Sequence, residues 1–289
     1  MKYKVSKKIF GTNTVEPITD LYTPLPISDV CWAGDLGLAY AAGNIIGAFS
    51  SEQGNIYPWK GETTGLPRIG SNPRFETLGG LSYLQRQKFL FAGEAGGRSI
   101  RMIDIPNDYS SSVIEGQPKA SVSVLLKKTP IDVAAHIAPV GRDRVFIALP
   151  SIKKVFYYCD SALHHVAGDG RCRFSSGVRP QDTSIGCPSG VAIRDRKLLL
   201  ADSLSGVIRE LDGTHMKILC GHPCENILPS PSKMAVQKDV LYIMCQDGVR
   251  TYSFATESNS DSPVYESNSI VGIAADFDNS LYIVEKEDA

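Results

Sequence analysis

The amino-acid sequence predicts an all-β fold, a six-bladed β-propeller with four-stranded antiparallel blades, on three observations. One pattern of apolar strand, charged tip, apolar strand, short turn and third strand occurs six times, most plainly as VAIRDRKLLLADSLSGVIRELD at residues 191–212. The copies recur on average every ~49 residues, a length that suits one four-stranded blade with its turns. The middle strand of each copy is a nearly continuous apolar run, as expected for a strand that is covered on both faces.

The six copies define the blades in chain order, within a single domain of residues 1–289. Middle strands such as KFLFAG, RVFIAL, KLLLAD and VLYIMC follow the charged tips QRQK, GRDR, RDRK and QKD, where a hairpin leaves the core. The third strand repeats an apolar-basic pair at Ile100-Arg101, Ile208-Arg209 and Val249-Arg250. We expect the blades at about 28–60, 79–127, 132–167, 188–220, 232–267 and 270–289.

The two ends of the chain are expected to close the ring. The last copy stops after its second strand, SLYIVEKEDA, and would leave an unpaired edge. The N-terminal segment KYKVSKKIF resembles an outer strand, so residues 1–10 are predicted to pair with the C-terminal blade. Residues 11–27 are interpreted as a connection, which leaves open whether this blade has three strands or four.

Residues 164–214 resemble an NHL repeat. They contain a strand that ends in Ala-Gly-Asp-Gly, a Gly-rich connection, the sequence Pro-Ser-Gly-Val-Ala and a strand that ends in Ala-Asp-Ser. The connection at 57–83 has the same layout, and the other copies match by strand pattern. The resemblance implies an NHL-type propeller, a family in which some members bind single-stranded RNA and some are lyases or lactone hydrolases.

Composition excludes several classes of function. The net charge of -1 removes the general attraction to phosphates or anionic membranes that a strongly basic domain would have. Seven cysteines at irregular spacing do not resemble a disulfide framework. No segment reads as a signal peptide or as a membrane span of about 18 apolar residues. We therefore expect a soluble, monomeric, cytoplasmic protein that does not bind membranes.

The crossovers are the predicted binding elements, because they are loops held on a rigid scaffold. A crossover here means the connection from the outer strand of one blade to the innermost strand of the next, and all crossovers are expected on one face. The first hypothesis is a non-catalytic scaffold that binds a protein or peptide through basic and aromatic side chains of the crossovers. The second hypothesis is that the same side chains bind single-stranded RNA. The partner-binding candidates are Trp59, Arg68, Arg74, Arg171 and Arg173.

A central-channel enzyme is the third hypothesis, and it leaves open whether the protein has any catalytic activity. The innermost strands begin near the channel, where two carboxylates and one histidine form too small a set for a divalent metal. No nucleophile, phosphate-binding or metalloprotease motif occurs in the right context, so the sequence predicts no metal and no cofactor. The channel candidates are Asp29, Asp132, His136 and Ser189.

Overall fold

The structure is a computed structural model that describes residues 1–9, 12, 14–50, 54–60, 75–94, 99–105, 122–126, 136–175, 179–278 and 280–287. It is a six-bladed β-propeller with four-stranded antiparallel blades, which confirms the fold class predicted from the sequence. In these ranges the helical elements are four single 3-10 turns, at Gly34–Leu36, Gln85–Gln87, Pro150–Ile152 and Pro180–Asp182. No helix in the described part of the chain has the length and apolar character needed to cross a membrane.

The described part of the chain contains 25 strands, numbered here in chain order. The first ten are β1 (Lys2–Ile9), β2 (Val15–Tyr22), β3 (Ile27–Trp32), β4 (Leu38–Ala42), β5 (Ile45–Ser50), β6 (Gly54–Lys60), β7 (Leu78–Leu84), β8 (Phe89–Glu94), β9 (Ser99–Asp104) and β10 (Val122–Leu126). The next eight are β11 (His136–Gly141), β12 (Arg144–Leu149), β13 (Lys154–Cys159), β14 (Ala162–Ala167), β15 (Pro188–Arg194), β16 (Lys197–Asp202), β17 (Val207–Leu211) and β18 (Met216–Gly221). The last seven are β19 (Met234–Gln237), β20 (Val240–Cys245), β21 (Gly248–Ser253), β22 (Ser258–Asn259), β23 (Tyr265–Glu266), β24 (Ile270–Ala275) and β25 (Ser280–Lys286).

The chain divides into two compact units, and the first comprises residues 1–135 with 276–289. Blade 1 has the strand order β3-β4-β5-β6, and blade 2 has the order β7-β8-β9-β10. Every residue of β4 is buried, and its alanines Ala39 and Ala41 belong to one apolar cluster with Leu90 and Ala92 of β8. The continuous apolar runs in the middle strands therefore reflect packing against a neighbouring blade.

The N-terminal strand closes the last blade, as predicted, but it is the third strand of that blade and not the outer one. β1 pairs antiparallel with β25 from Tyr3 opposite Lys286 to Ile9 opposite Ser280. β2 pairs with the other edge of β1, with a bulge at Val5/Ser6. The interpretation of residues 11–27 as a connection is therefore wrong over β2, which supplies the strand that the sequence left unassigned. An outer edge strand needs little apolar character and tolerates Pro17, so VEPITDLY does not look like a blade strand.

The second unit comprises residues 136–275. Blades 3 and 4 have the orders β11-β12-β13-β14 and β15-β16-β17-β18, and blade 5 has β19-β20-β21 with β22 and β23 both paired to β21. The run KLLLAD in β16 alternates between two clusters. Leu198 and Leu200 pack in the cluster that contains Ala148 of blade 3, whereas Leu199 packs in the cluster that contains Leu241 of blade 5. A strand between two blades must therefore be apolar on both faces.

The innermost strands of blades 4 and 5 approach each other closely. The Ser189 hydroxyl donates to the Pro231 carbonyl at 2.7 Å, just before β19. A Cβ atom at Gly190 would overlap the carbonyl oxygen of Ser232. Only glycine fits this position, which explains the glycine in Pro-Ser-Gly-Val-Ala.

The change Gly190→Ala should lower the free energy of unfolding by about 2–3 kcal/mol, because the backbone of blade 5 must move to admit the methyl group. Urea denaturation followed by circular dichroism measures this loss. The matched control is Gly141→Ala, where the new methyl group meets only the Arg144 side chain, which is 58% exposed and can move away. An equal loss in both variants would contradict the close approach.

Candidate partner-binding site

The structure describes the side chains of five of the nine predicted site residues. Arg68, Arg74 and Asp132 lie outside the described residues. Trp59 lies in β6, at the end of blade 1, but its side chain is not among those described. The others are Arg171, Arg173, Asp29, His136 and Ser189.

Asp169 organises the crossover that leads into blade 4. Its carboxylate accepts the Arg171 backbone N–H at 2.8 Å and the Ser184 hydroxyl at 2.7 Å. The Ser184 hydroxyl in turn accepts Nε–H of Arg173 at 2.9 Å. Burial opposes ionisation, but these hydrogen bonds and the two nearby guanidinium groups lower the pKa of Asp169 below its ordinary value. The carboxylate therefore stays charged at neutral pH and fixes the loop.

Arg171 and Arg173 remain accessible even though both lie near this carboxylate. Their side chains are 70% and 58% exposed, and the nearest nitrogens lie 4.0 and 3.7 Å from Oδ2 of Asp169. Such exposed ion pairs contribute little to stability. The single carboxylate of Asp169 does not neutralise both guanidinium groups. Arg171 and Arg173 are therefore both accessible to an external anion.

Two large apolar side chains are exposed nearby, one on this crossover and one on the turn between β16 and β17. Phe174 follows Arg173 directly and is 39% exposed, and Leu204 is 62% exposed in the turn after β16. The Leu204 turn lies beside Gly186 of the crossover, whose carbonyl is also 3.9 Å from Sγ of Cys172. Arg171, Arg173, Phe174 and Leu204 are called the blade 4 patch.

A buried ion pair lies beneath this patch. Nη2 and Nε of Arg209 lie 3.1 and 3.3 Å from Oδ2 of Asp202, and both side chains are almost wholly buried. The Arg209 guanidinium also donates to the carbonyls of Ser175 at 2.9 Å and Ser184 at 3.4 Å. The Cζ atom of Arg209 lies 5.1 Å from the centre of the Phe174 ring. Arg209, on the third strand of blade 4, is therefore bonded to the crossover at two points, Ser175 and Ser184.

The Asp202 carboxylate is equally occupied. It accepts the backbone N–H groups of Gly186 at 3.1 Å, Cys187 at 3.0 Å and Ser205 at 3.3 Å. The end of the crossover and the Leu204 turn are thus bonded to one carboxylate. Sequence reasoning noted the repeated arginine but missed its acidic partner at the end of the preceding strand.

Asp29 and Ser189, two of the channel candidates, form hydrogen bonds that serve the fold. The Asp29 carboxylate accepts the N–H groups of Val30 at 2.6 Å and Leu81 at 2.8 Å, and so joins β3 to β7. Ser189 joins blades 4 and 5 as described above. Burial lowers the pKa of His136 to about 4, so the imidazole is neutral at pH 7.

Three residues of interest were not singled out from the sequence. Burial lowers the pKa of Lys233 to about 7, at the start of the innermost strand of blade 5. The sequence analysis could have found this lysine from its position before β19. Phe174 and Leu204 could have been noted as large apolar residues within polar connections. In the described residues, no three His, Cys, Asp or Glu side chains are grouped to hold a metal ion.

Comparison with known proteins supports the fold. No protein-family model matches the chain. A stretch of 144 residues is 28% identical to Protein SUPPRESSOR OF QUENCHING 1, chloroplastic, of Arabidopsis thaliana, and covers 46% of this chain but only 13% of that protein. A catalytically inactive virginiamycin B lyase from Staphylococcus aureus, solved with quinupristin, is similar with a TM-score of 0.56 and 12% identity over 99% of this chain and 100% of that one. A chain from a nidogen/laminin complex has a TM-score of 0.59 and 14% identity over 94% and 97%. At such identities the likeness shows the propeller fold alone.

The change Arg209→Met should lower the free energy of unfolding by about 3–5 kcal/mol, because it leaves the Asp202 carboxylate buried without its cation. The amides of Gly186 and Cys187 should also exchange with solvent faster. Urea denaturation and hydrogen exchange measure the two effects. Arg86→Met, at an exposed hairpin tip, is the control that should change neither. A loss below about 1 kcal/mol would show that the pair does not stabilise the crossover.

His136 should make stability fall as the pH drops. Because its pKa is about 4 in the folded protein and about 6.5 when unfolded, the unfolded state binds more protons between these values and is favoured there. The free energy of unfolding should therefore decrease from pH 6.5 to pH 4, by at most about 3 kcal/mol from this residue. Denaturation of His136→Gln across this range should show a smaller decrease, whereas the exposed His164→Gln control should follow the wild type. Identical slopes in all three proteins would disprove the assignment.

Proposed function

We propose that the chain is a non-catalytic, NHL-like propeller scaffold that acts as a monomer and binds a protein or peptide partner through its crossovers. The observation that carries the proposal is the blade 4 patch, where two exposed guanidinium groups stand beside two exposed apolar side chains on a fixed frame. Large apolar side chains that lie exposed next to charged groups are typical of interaction sites. The buried Arg209–Asp202 pair supports this function by holding the patch in one conformation before binding.

The chemistry of the patch favours a partner segment with acidic and apolar side chains. Arginine presents a planar set of donors that matches a carboxylate, and it is enriched in protein interfaces. Asp169 holds Arg173 through Ser184, so part of the side-chain entropy is already lost before the partner arrives. Phe174 and Leu204 offer apolar area at the same place, as the centre of an interface requires.

The blade 4 patch is also relevant to the two alternative functions, RNA binding and catalysis in the channel. Phe174, stacked over the Arg209 guanidinium and flanked by two exposed arginines, could also stack on a base, so single-stranded RNA is the second candidate. The structural similarity to a lyase and to a chain from a nidogen/laminin complex fits either a catalytic or a binding propeller, because one fold hosts many functions. The channel hypothesis is weaker, since the described bonds of Asp29 and Ser189 join strands.

The double variant Arg171→Glu/Arg173→Glu should lose its protein partners, because it places two further carboxylates beside Asp169 and reverses the charge of the patch. The measurement is a pulldown from a lysate of the source cell, with at least a ~10-fold loss of each partner expected. Arg86→Glu/Arg196→Glu, which changes the same charge at exposed hairpin tips, is the matched control and should retain the partners.

Ribonuclease treatment separates the two candidate ligands. Under the proposal, the partners of the wild type survive ribonuclease. If they disappear and RNA is recovered with the untreated protein, the RNA hypothesis replaces the first. If the double variant keeps every partner, the blade 4 patch is not the binding site.

A further inference from the structure

A cavity of about 660 Å³ opens in the first unit, away from the residues of the blade 4 patch in sequence. It lies among the connection that enters β3, the turn between β4 and β5, and the connection that enters β7. Its volume is within the range of ordinary ligand-binding clefts. Among the residues that line it are Leu25, Pro26, Phe75, Glu76 and Leu78.

The floor of this cavity is apolar, and hydrogen bonds hold the segments that surround it. Phe75 and Leu78 are buried and belong to the apolar cluster between blades 1 and 2, so they form a fixed floor. The Leu78 N–H donates to the Gly43 carbonyl at 2.7 Å, and the Ser28 hydroxyl donates to the Leu78 carbonyl at 2.9 Å. All three connections are thereby joined, and the cavity exists before a ligand binds.

Glu76 gives the cavity a negative charge. Its backbone N–H donates to Oε1 of Glu94 at 3.1 Å, and Glu94 is itself buried against Arg101, so the position of Glu76 is fixed from beneath. Glu76 is partly exposed and is the one ionisable side chain among the described residues that line the cavity. An anion would be repelled, whereas a cation next to an apolar group would match both features.

The chain that leads into one wall of the cavity carries two exposed apolar side chains. Leu25 is 38% exposed, and Tyr22, three residues earlier, is 62% exposed. A ligand confined to the cavity would leave this surface in water, whereas a peptide could cover it as well. The occupant that fits best is therefore an extended segment of a partner protein.

We infer that this cavity, here called the Glu76 cavity, is a second docking site that binds a large apolar side chain of a partner peptide. A basic side chain next to it pairs with the Glu76 carboxylate. The Glu76 cavity would bind a basic side chain, whereas the blade 4 patch would bind an acidic one. The inference therefore does not depend on the function proposed for the blade 4 patch.

Two matched peptides test the inference. The probes are Ac-Gly-Trp-Arg-Gly-NH2 and Ac-Gly-Trp-Glu-Gly-NH2 at millimolar concentration, with dissociation constants taken from ligand-detected NMR titration. The Arg peptide should bind about 10-fold more tightly than the Glu peptide to the wild type. Glu76→Gln should bring the two affinities within about twofold, and Leu25→Ser should weaken the Arg peptide by about three- to fivefold.

Control variants separate this site from the blade 4 patch and from general charge effects. Glu16→Gln removes an exposed carboxylate on β2 and should leave the preference for the Arg peptide intact. Arg171→Glu/Arg173→Glu should likewise leave it intact, even if it abolishes partner capture. Circular dichroism confirms that each variant is folded. The inference is overturned if the Arg peptide does not bind, if the wild type shows no preference, or if the preference survives in Glu76→Gln.

Discussion

The buried pair of Arg209 and Asp202 is the interaction on which the candidate site depends. Two ionised groups inside a protein are costly unless each finds its full set of partners. Here the carboxylate receives three backbone N–H groups and the guanidinium, and the guanidinium also donates to two carbonyls. Those backbone groups belong to the crossover and to the Leu204 turn. Ion pairing inside one blade thus determines the conformation of the loops that carry the exposed side chains.

The same position is filled in different ways in other blades. In blade 2, Nε of Arg101 lies 2.6 Å from Glu94, and in blade 5, Nη2 of Arg250 lies 2.5 Å from Asp247. Blade 1 has Gly47 at the corresponding place in its third strand, and the buried Tyr40 ring occupies the space that a side chain there would need. Blade 3 has Phe156, which packs against His165. This position of the third strand therefore carries either an arginine paired with a carboxylate or a residue packed against an aromatic or imidazole ring.

These differences explain what the sequence could and could not predict. Contacts on both faces require continuous apolar runs, so the middle strands were predictable from the pattern. The closure by β1 was predictable because the last copy ends after its second strand and would otherwise leave an unpaired edge. β2 was not, because an outer edge strand with Pro17 packs on one side only. The arginine of the third strand was visible as a repeat, but its partner Asp202 becomes apparent only when the strand end and the crossover are seen together. The exposure of Phe174 and Leu204 likewise depends on how the loops fold, which composition does not encode.

A net charge of -1 does not describe how this protein presents charge. At the blade 4 patch, Asp169 faces two guanidinium groups that are mostly in water, so the proposed attraction for an acidic segment would be local and screened by salt. In the Glu76 cavity the charge lies beside an apolar floor, where the proposed burial of a partner side chain would contribute binding energy that salt does not weaken. Near-neutrality of the whole chain thus coexists with local charge of either sign. Because the blades form the rigid frame and the connections carry these charges, a few substitutions in the connections would change the proposed binding surfaces while the strand repeat stays the same.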